Sequence, residues 1–577
     1  MAASWTDDLS PIAPADWTYG RAAHLLERAG FGGTPDEIAR LARLTPRQAV
    51  DSLVDYESID ASGLRPFDES GIWDPGMDPF PASRAEAVRI ARERGEALGE
   101  KVLPPGSPRR LQPIVDKFFY GLRANVLETD RLGLWWANRM LTTPRPLEEK
   151  LTLFWHGHFA TGQNKVRDYR MMRRQNELFR AHASGSFRDL LMGILKDPAM
   201  LVYLDNGENV KKHPNENFGR ELLELFTMGV GNYTEHDIRE AARAFTGWTN
   251  DVLEFKFDEG QHDYGGKTFL GRTGNHNGDD IIDIVLDRPV TAEFVAAKIY
   301  RFFVRDEISG GVKTELGGTL RQSDYRLKPA LKRMFLSRDF YSPAADATQI
   351  KGPIHLLIST YRKMGLREVP TVPDFGRMAA SLGQVLFEPP NVAGWAGGRT
   401  WITPATLFNR GNLFRDVLFA DAAGFRAPDR AMPPLYARVG ERLSRGMNVT
   451  DATKEGDAEA SLAADRDEDY NTRYGGYRGY VLAYERVKPI PRRTAALDLT
   501  AMAASAGADS PEKSVDDFAR RFLLTPLAPK ERSVLVDFLR ERVGESNIRG
   551  GGKDEKIETA LREALYLVLS APEYQLA

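Results

Sequence analysis

Residues 214–237 read PNENFGRELLELFTMGVGNYTEHD. Advancing about 100° per residue, Phe218, Leu222, Leu225 and Phe226 share one arc, the core-facing stripe of an amphipathic helix. Asn217, Glu221, Glu224 and Met228 share a second arc, with Glu216, Arg220 and Thr227 beside it. Asn215 is placed to cap the helix and Gly229 to stop it. Glu216 precedes Arg220 by four residues, the favourable order for an intrahelical ion pair. The segment is therefore a helix. Its acids have two readings: a solvated face, the ordinary fate of charged side chains, or carboxylates that converge on a site.

The same period recurs on both sides. TYGRAAHLLERAGFG is a helix closed by Gly30, and TPDEIARLARL and TPRQAVDSLVDY each open with a Thr cap and a Pro at the first position. The composition around residues 61–82 predicts a loop, and SRAEAVRIARERGEALGEKV predicts a charged helix. One or two long helices follow over 111–142, then PLEEKLTLFWHGHF. Further helices are expected at 165–183, 186–196, 215–229, 234–246, 291–304, 324–337, 350–364, 373–384 and 404–419. Residues 251–272 alternate with period two around a Gly-Gly turn and predict one small β-hairpin. The expected fold is mainly α, a large multi-helix domain with a small β-hairpin insertion and irregular loops. Its parts are N-terminal helices (1–60), a loop and charged-helix insertion (61–110), a central helical core (111–420), an irregular linker or insertion (421–495) and a C-terminal helical segment (496–577).

Composition narrows the function. The 577 residues carry a net charge of −3 and no long basic tract, so nothing points to nucleic acid. Cysteine is absent, which excludes thiolate metal sites, iron–sulfur clusters and cysteine nucleophiles. No apolar run approaches the ~18 residues of a membrane span. The first residues have no basic region and no apolar region of a secretory signal. The expected location is cytoplasmic, or exported if a signal has been removed.

Four stretches carry candidate chemistry. FWHGHF sets His156 and His158 among aromatic residues, where a buried imidazole needs a hydrogen-bond partner. QHDYGGK sets His262 beside Asp263, a metal ligand or acid–base pair, or a turn capped by its Asp. His276 lies in GNHNGDD, where Asp279 and Asp280 suit the cap of a following helix. FEPPNVAGWAGGRTWITP is a long Gly/Pro loop holding Trp395 and Trp401, either a ligand-binding wall or a loop pinned by its indoles. Dinucleotide, P-loop, zincin and nucleophile-elbow signatures are all missing.

Taken in order, AAHLLERAGFGGTPDEI, LTLFWHGHFATGQNKV, DPAMLVYLDNGEN, the opening stretch, HDYGGKTFLG and LGQVLFEPPNVAGWAGGRTW resemble the DUF1800 family, over roughly residues 20–415. That family is bacterial and of undefined function, and its members are often encoded beside DUF1501 proteins. The resemblance implies a W-x-N-H-F motif at Trp155, His158 and Phe159, which favours His158 over His156 as a functional histidine. It also implies a histidine at 226, where this chain has Phe226. Glu216, Asn217, Arg220, Glu221 and Glu224 match the family's order, and a fixed polar order favours a buried network.

Two functions are carried forward. The first is a hydrolase or metal-dependent enzyme acting on a carbohydrate-like or extracellular substrate. Its catalytic residues are Glu221, Glu224, His158 and Asp263, its substrate-binding residues Trp395, Trp401, Arg220 and Asn217, and its divalent-metal ligands His158, Glu221, Glu224 and His262. The alternative is a non-enzymatic binding or assembly protein that acts with a DUF1501-type partner, its polar cluster structural.

Overall fold

A computed structural model describes residues 5–107, 109–420, 470–544, 548 and 554–577. The fold is mainly α, with three two-stranded antiparallel sheets among the described residues. Helix starts follow local chemistry. Thr34 and Thr45 close capping boxes with Glu37 and Gln48, each with Pro at the first helical position. The expected long helix runs unbroken over Gln112–Thr142, and Pro144 and Pro146 separate it from the helix Pro146–His158.

Several elements differ from expectation. The charged helix ends at Arg94 because Gly95 turns left-handed (φ 77°), and Glu96–Ala97 then pairs with Glu100–Lys101. The single hairpin is two. Trp248–Asp251 pairs with Glu254–Phe257, and Lys267–Phe269 pairs with Arg272–Gly274 around Leu270 and Gly271, both at positive φ. The alternation near 251–257 thus spans a turn and one strand. Helices Pro198–Tyr203 and Gly310–Gln322 were not foreseen, the second because its four glycines read as breakers.

The Tyr/Gly-rich residues of the expected linker form the helix Thr472–Arg486, packed along Gln112–Thr142. Gly475 and Gly479 lie four apart on the contact face. A Cβ at Gly479 would sit 2.4 Å from the Tyr120 backbone nitrogen. These glycines set the helix spacing. The acidic run at 451–469 lies outside the described residues.

The buried apolar side chains form three clusters. Helix Pro146–His158 joins two of them. Its Leu147, Leu151, Phe154 and Trp155 enter one, and Leu153 enters the other with Phe31 and the C-terminal helices. The last residues return to this junction. Ile350 and Leu576 form an antiparallel bridge, the Lys351 amide donates to the Gln575 carbonyl (2.8 Å), and the Ala577 amide donates to the Gln349 carbonyl (2.7 Å).

Candidate functional site

Every residue of Pro146–His158 except Gly157 is buried, including three consecutive charges. Glu149 accepts from Trp136 Nε1 (2.8 Å), Arg180 Nε (2.7 Å) and Arg139. Burial opposes its ionised form, but the two arginines outweigh burial and hold its carboxyl below the usual range. Glu148 pairs with Arg139 and Arg145. Lys150 is different. It is 3% exposed and has no hydrogen-bond or ion-pair partner among the described residues. Its ammonium lies over the rings of Phe31 (4.8 Å) and Phe302 (5.7 Å). Burial pushes it down to about 7. Glu27 pulls the other way, and the charges of Arg28 and Lys351 add to the push.

Lys150 opens into a cavity of about 700 Å³, within the range of small-molecule sites. Arg28, Lys150, Lys298, Arg301 and Arg399 line it against a single acid, Asp306. Arg28 spends one nitrogen on the Ala345 carbonyl, while its buried Nε and Nη1 have no hydrogen-bond partner among the described residues. Burial lowers it to about 9. Burial and the neighbouring Arg301 also lower Lys298. His355 lines the same wall and hydrogen-bonds Glu27 (3.1 Å). Glu27 also accepts from Ser359 (2.8 Å) and pairs with Lys363 (2.7 Å) and Lys351 (3.5 Å). Burial works against the Glu27 carboxylate, but these cations hold it well below the usual range. The buried acid behind the wall thus has cationic partners of its own, and the lining keeps an excess of positive charge that Glu27, Asp306 and Asp346 offset only in part.

His158 also lines the cavity. Its Nε2 lies 3.1 Å from the Phe226 carbonyl, so Nε2 carries the proton and donates, and Nδ1 keeps the lone pair. That carbonyl is available because Phe226 lies in the last turn of Leu222–Thr227, where helical carbonyls lack intrahelical partners; the segment winds as a π-helix, a local form common at functional sites. Burial pushes His158 down to about 3, with Lys298 adding to it, so the ring is neutral. His156 accepts from the Phe387 amide (3.0 Å) and ties the helix to the Gly/Pro loop, and burial pushes it to about 3 as well. Gly394 (φ 77°) seats that loop, since a Cβ there would lie 2.2 Å from the Gly157 carbonyl. Trp395 and Trp401 both line the cavity.

The other sequence-selected residues lie elsewhere. The polar network of the opening helix is at the surface and not buried, because its partners come from a neighbouring exposed helix start. Arg220 (36% exposed side chain) pairs with Glu216 (39%) and with Glu235. Glu224 accepts from the Tyr233 hydroxyl (3.0 Å), and Asn217 donates to the Leu204 carbonyl (3.3 Å). Glu221 is half-buried. Burial and the Glu224 charge raise its carboxyl, and it makes no hydrogen bond to His158. The helix reaches the cavity through Leu225 alone.

His262 places Nδ1 2.8 Å from the Thr246 carbonyl, and Asp263 pairs with Arg243 (2.7 Å) while accepting from the Gly265 amide. That turn is internally satisfied. His158, Glu221, Glu224 and His262 are not brought together. Among the described residues no group of three or more His, Asp or Glu side chains is placed to hold a metal ion. Sequence reading missed Arg28, Lys150, Lys298, Asp306 and His355. The available signal was Glu148-Glu149-Lys150 inside an aromatic-rich helix with no polar face on which to expose them.

Fold and site together define a mainly α protein with a cationic, tryptophan-walled cavity lined by its N-terminal and central segments. A family model described as a protein of unknown function (DUF1800) matches residues 24–576, and the chain belongs to that family. No curated protein and no solved structure matches it. Among the described residues no helix is long and apolar enough to cross a membrane.

Proposed function

We propose that the chain binds a small anionic molecule in the cavity floored by Pro146–His158, and that any reaction it performs takes place there. One observation carries this reading: five cationic side chains and a single acid line about 700 Å³, and the most buried of the cations, Arg28 and Lys150, form no ion pair among the described residues. Buried cations are costly unless paired, so a lining of this kind is matched by an anion that supplies the missing charge. Trp395 and Trp401 offer flat apolar faces for the rest of the ligand. An acidic sugar and an aromatic carboxylate both satisfy that pairing. Glu221, Glu224 and Asp263 lie outside the cavity lining, so a reaction there would draw on Lys150, His158 and Asp306 instead.

The test is calorimetric titration and thermal denaturation with a matched panel: glucuronate, glucose 6-phosphate and phenyllactate against glucose and phenylethanol. At least one anion is expected to bind and raise the melting temperature while the neutral compounds do neither. A ligand at a hundred times its Kd adds about 2.7 kcal/mol. The double variant Lys298→Gln/Arg399→Gln should weaken binding at least tenfold. Equal response to neutral and charged compounds, or undiminished binding by the double variant, would sink the proposal.

A further inference from the structure

Anion binding alone does not explain Lys150. Arg28, Lys298, Arg301 and Arg399 already supply the charge, and three of them lie on the more open parts of the lining. Lys150 is instead almost fully buried, second only to Arg28 among the cations of the lining, enclosed by Phe31 and Phe302 and in an ion pair with no carboxylate among the described residues. Its neighbours on the same helix show the contrast, for Glu148 and Glu149 are both paired. A purely structural ammonium at this depth would be expected to share that network. An amine left unpartnered against apolar rings, with its nitrogen at a cavity wall, is arranged as a nucleophile.

Resting on the anion reading, and naming the ligand class for that same cavity, we propose that Lys150 forms a Schiff base with an anionic carbonyl compound. Such a compound is a 2-oxo acid or an acidic aldehyde whose carboxylate is held by the arginines. The neutral Nζ attacks the carbonyl carbon. A C–N bond forms, the C=O π electrons move to oxygen, and the proton lost by nitrogen is taken up there to give a carbinolamine. The nitrogen lone pair then expels the hydroxyl, which leaves as water with the second nitrogen proton. One water is released for each C=N bond formed, and nothing is oxidised or reduced. The lowered basicity of Lys150 supplies the free amine near neutral pH without a separate base. Arg301 and Arg399, the exposed guanidiniums of the lining, are suited to hold the carboxylate, with the buried charge of Arg28 adding to the field.

The experiment is reductive trapping of the full chain at neutral pH. Phenylpyruvate or glyoxylate is added with cyanoborohydride, followed by intact mass measurement and peptide mapping. Phenyllactate, the same anion without the carbonyl, is the binding control. The expected result is one reduced adduct per chain, on Lys150, competed away by phenyllactate and lost in Lys150→Arg. Since the adduct is located in the wild-type chain, the outcome does not depend on a variant folding. Adducts spread over surface lysines, or none on Lys150 while phenyllactate still binds, would overturn the Schiff base and leave the anion site standing. Absence of both the adduct and anion binding would overturn the two together.

Discussion

A buried ammonium without a partner lowers the stability of the fold that holds it. Lys150→Met keeps the volume and removes the charge. It is expected to stabilise the protein at pH 7 by on the order of 1–3 kcal/mol while abolishing trapping. Lys150 titrates near 7 when folded and at its ordinary 10.5 when unfolded, so the unfolded chain holds the extra proton between these values. Wild-type stability should therefore rise from about pH 7 to about pH 9, and the rise should shrink in Lys150→Met. Identical slopes in the two proteins would show that Lys150 stays charged in the fold. The histidines act at lower pH. His156, His158 and His355 are pushed to about 3 against an ordinary 6.5. Each is neutral in the fold and takes up a proton on unfolding, so the three lower stability as pH drops from about 6.5 toward 5, opposed in the same window by Asp130 and Asp197, whose carboxyls burial raises to about 7. A pH slope over that window identical in the wild-type chain and in His158→Gln would contradict the burial of His158 as a neutral ring. None of this was legible residue by residue. His158, expected as a catalytic and metal-binding residue, lines the cavity, but its partner is the Phe226 carbonyl, and a backbone acceptor leaves no mark in side-chain identity.

At the scale of elements, apolar periodicity located most helices, and cap residues placed several of their starts. Glycine was the ambiguous letter. In Thr472–Arg486 it reads as a breaker, yet Gly475 and Gly479 fit within a helix because the neighbouring helix presses on them. Contact that offsets the conformational cost of glycine cannot be seen in one segment alone. Gly479→Leu should force the pair apart and cost at least 2–3 kcal/mol, in the manner of overpacked cores. The readout is faster hydrogen exchange in 112–127 and 472–486 with the cavity residues unaffected. Unchanged exchange there would mean the two helices are not held by this contact. The π-turn at Leu222–Thr227 was likewise hidden, since its sequence has the ordinary helical period and differs only in which carbonyls go unpaired.

Across the whole molecule, the cavity draws Arg28, Lys150, Lys298, Asp306, His355 and Trp401 from segments hundreds of residues apart. Local motifs could nominate the tryptophans, because a Gly/Pro loop with two indoles stands out. They could not nominate cations that converge only after three apolar clusters have packed. The acids of the opening helix show the reverse error: a fixed order suggested burial, while tertiary packing left them on the surface beside Glu235. The pairing of Leu576 and Ala577 with Gln349 and Ile350 carries a practical corollary. Gln349 and Ile350 form part of the cavity wall, so the last three residues act as its fastener. Removing Gln575–Ala577 should weaken anion binding and expose 349–352 to protease while distant helices stay folded. Unaltered binding and cleavage would show the wall stands without them.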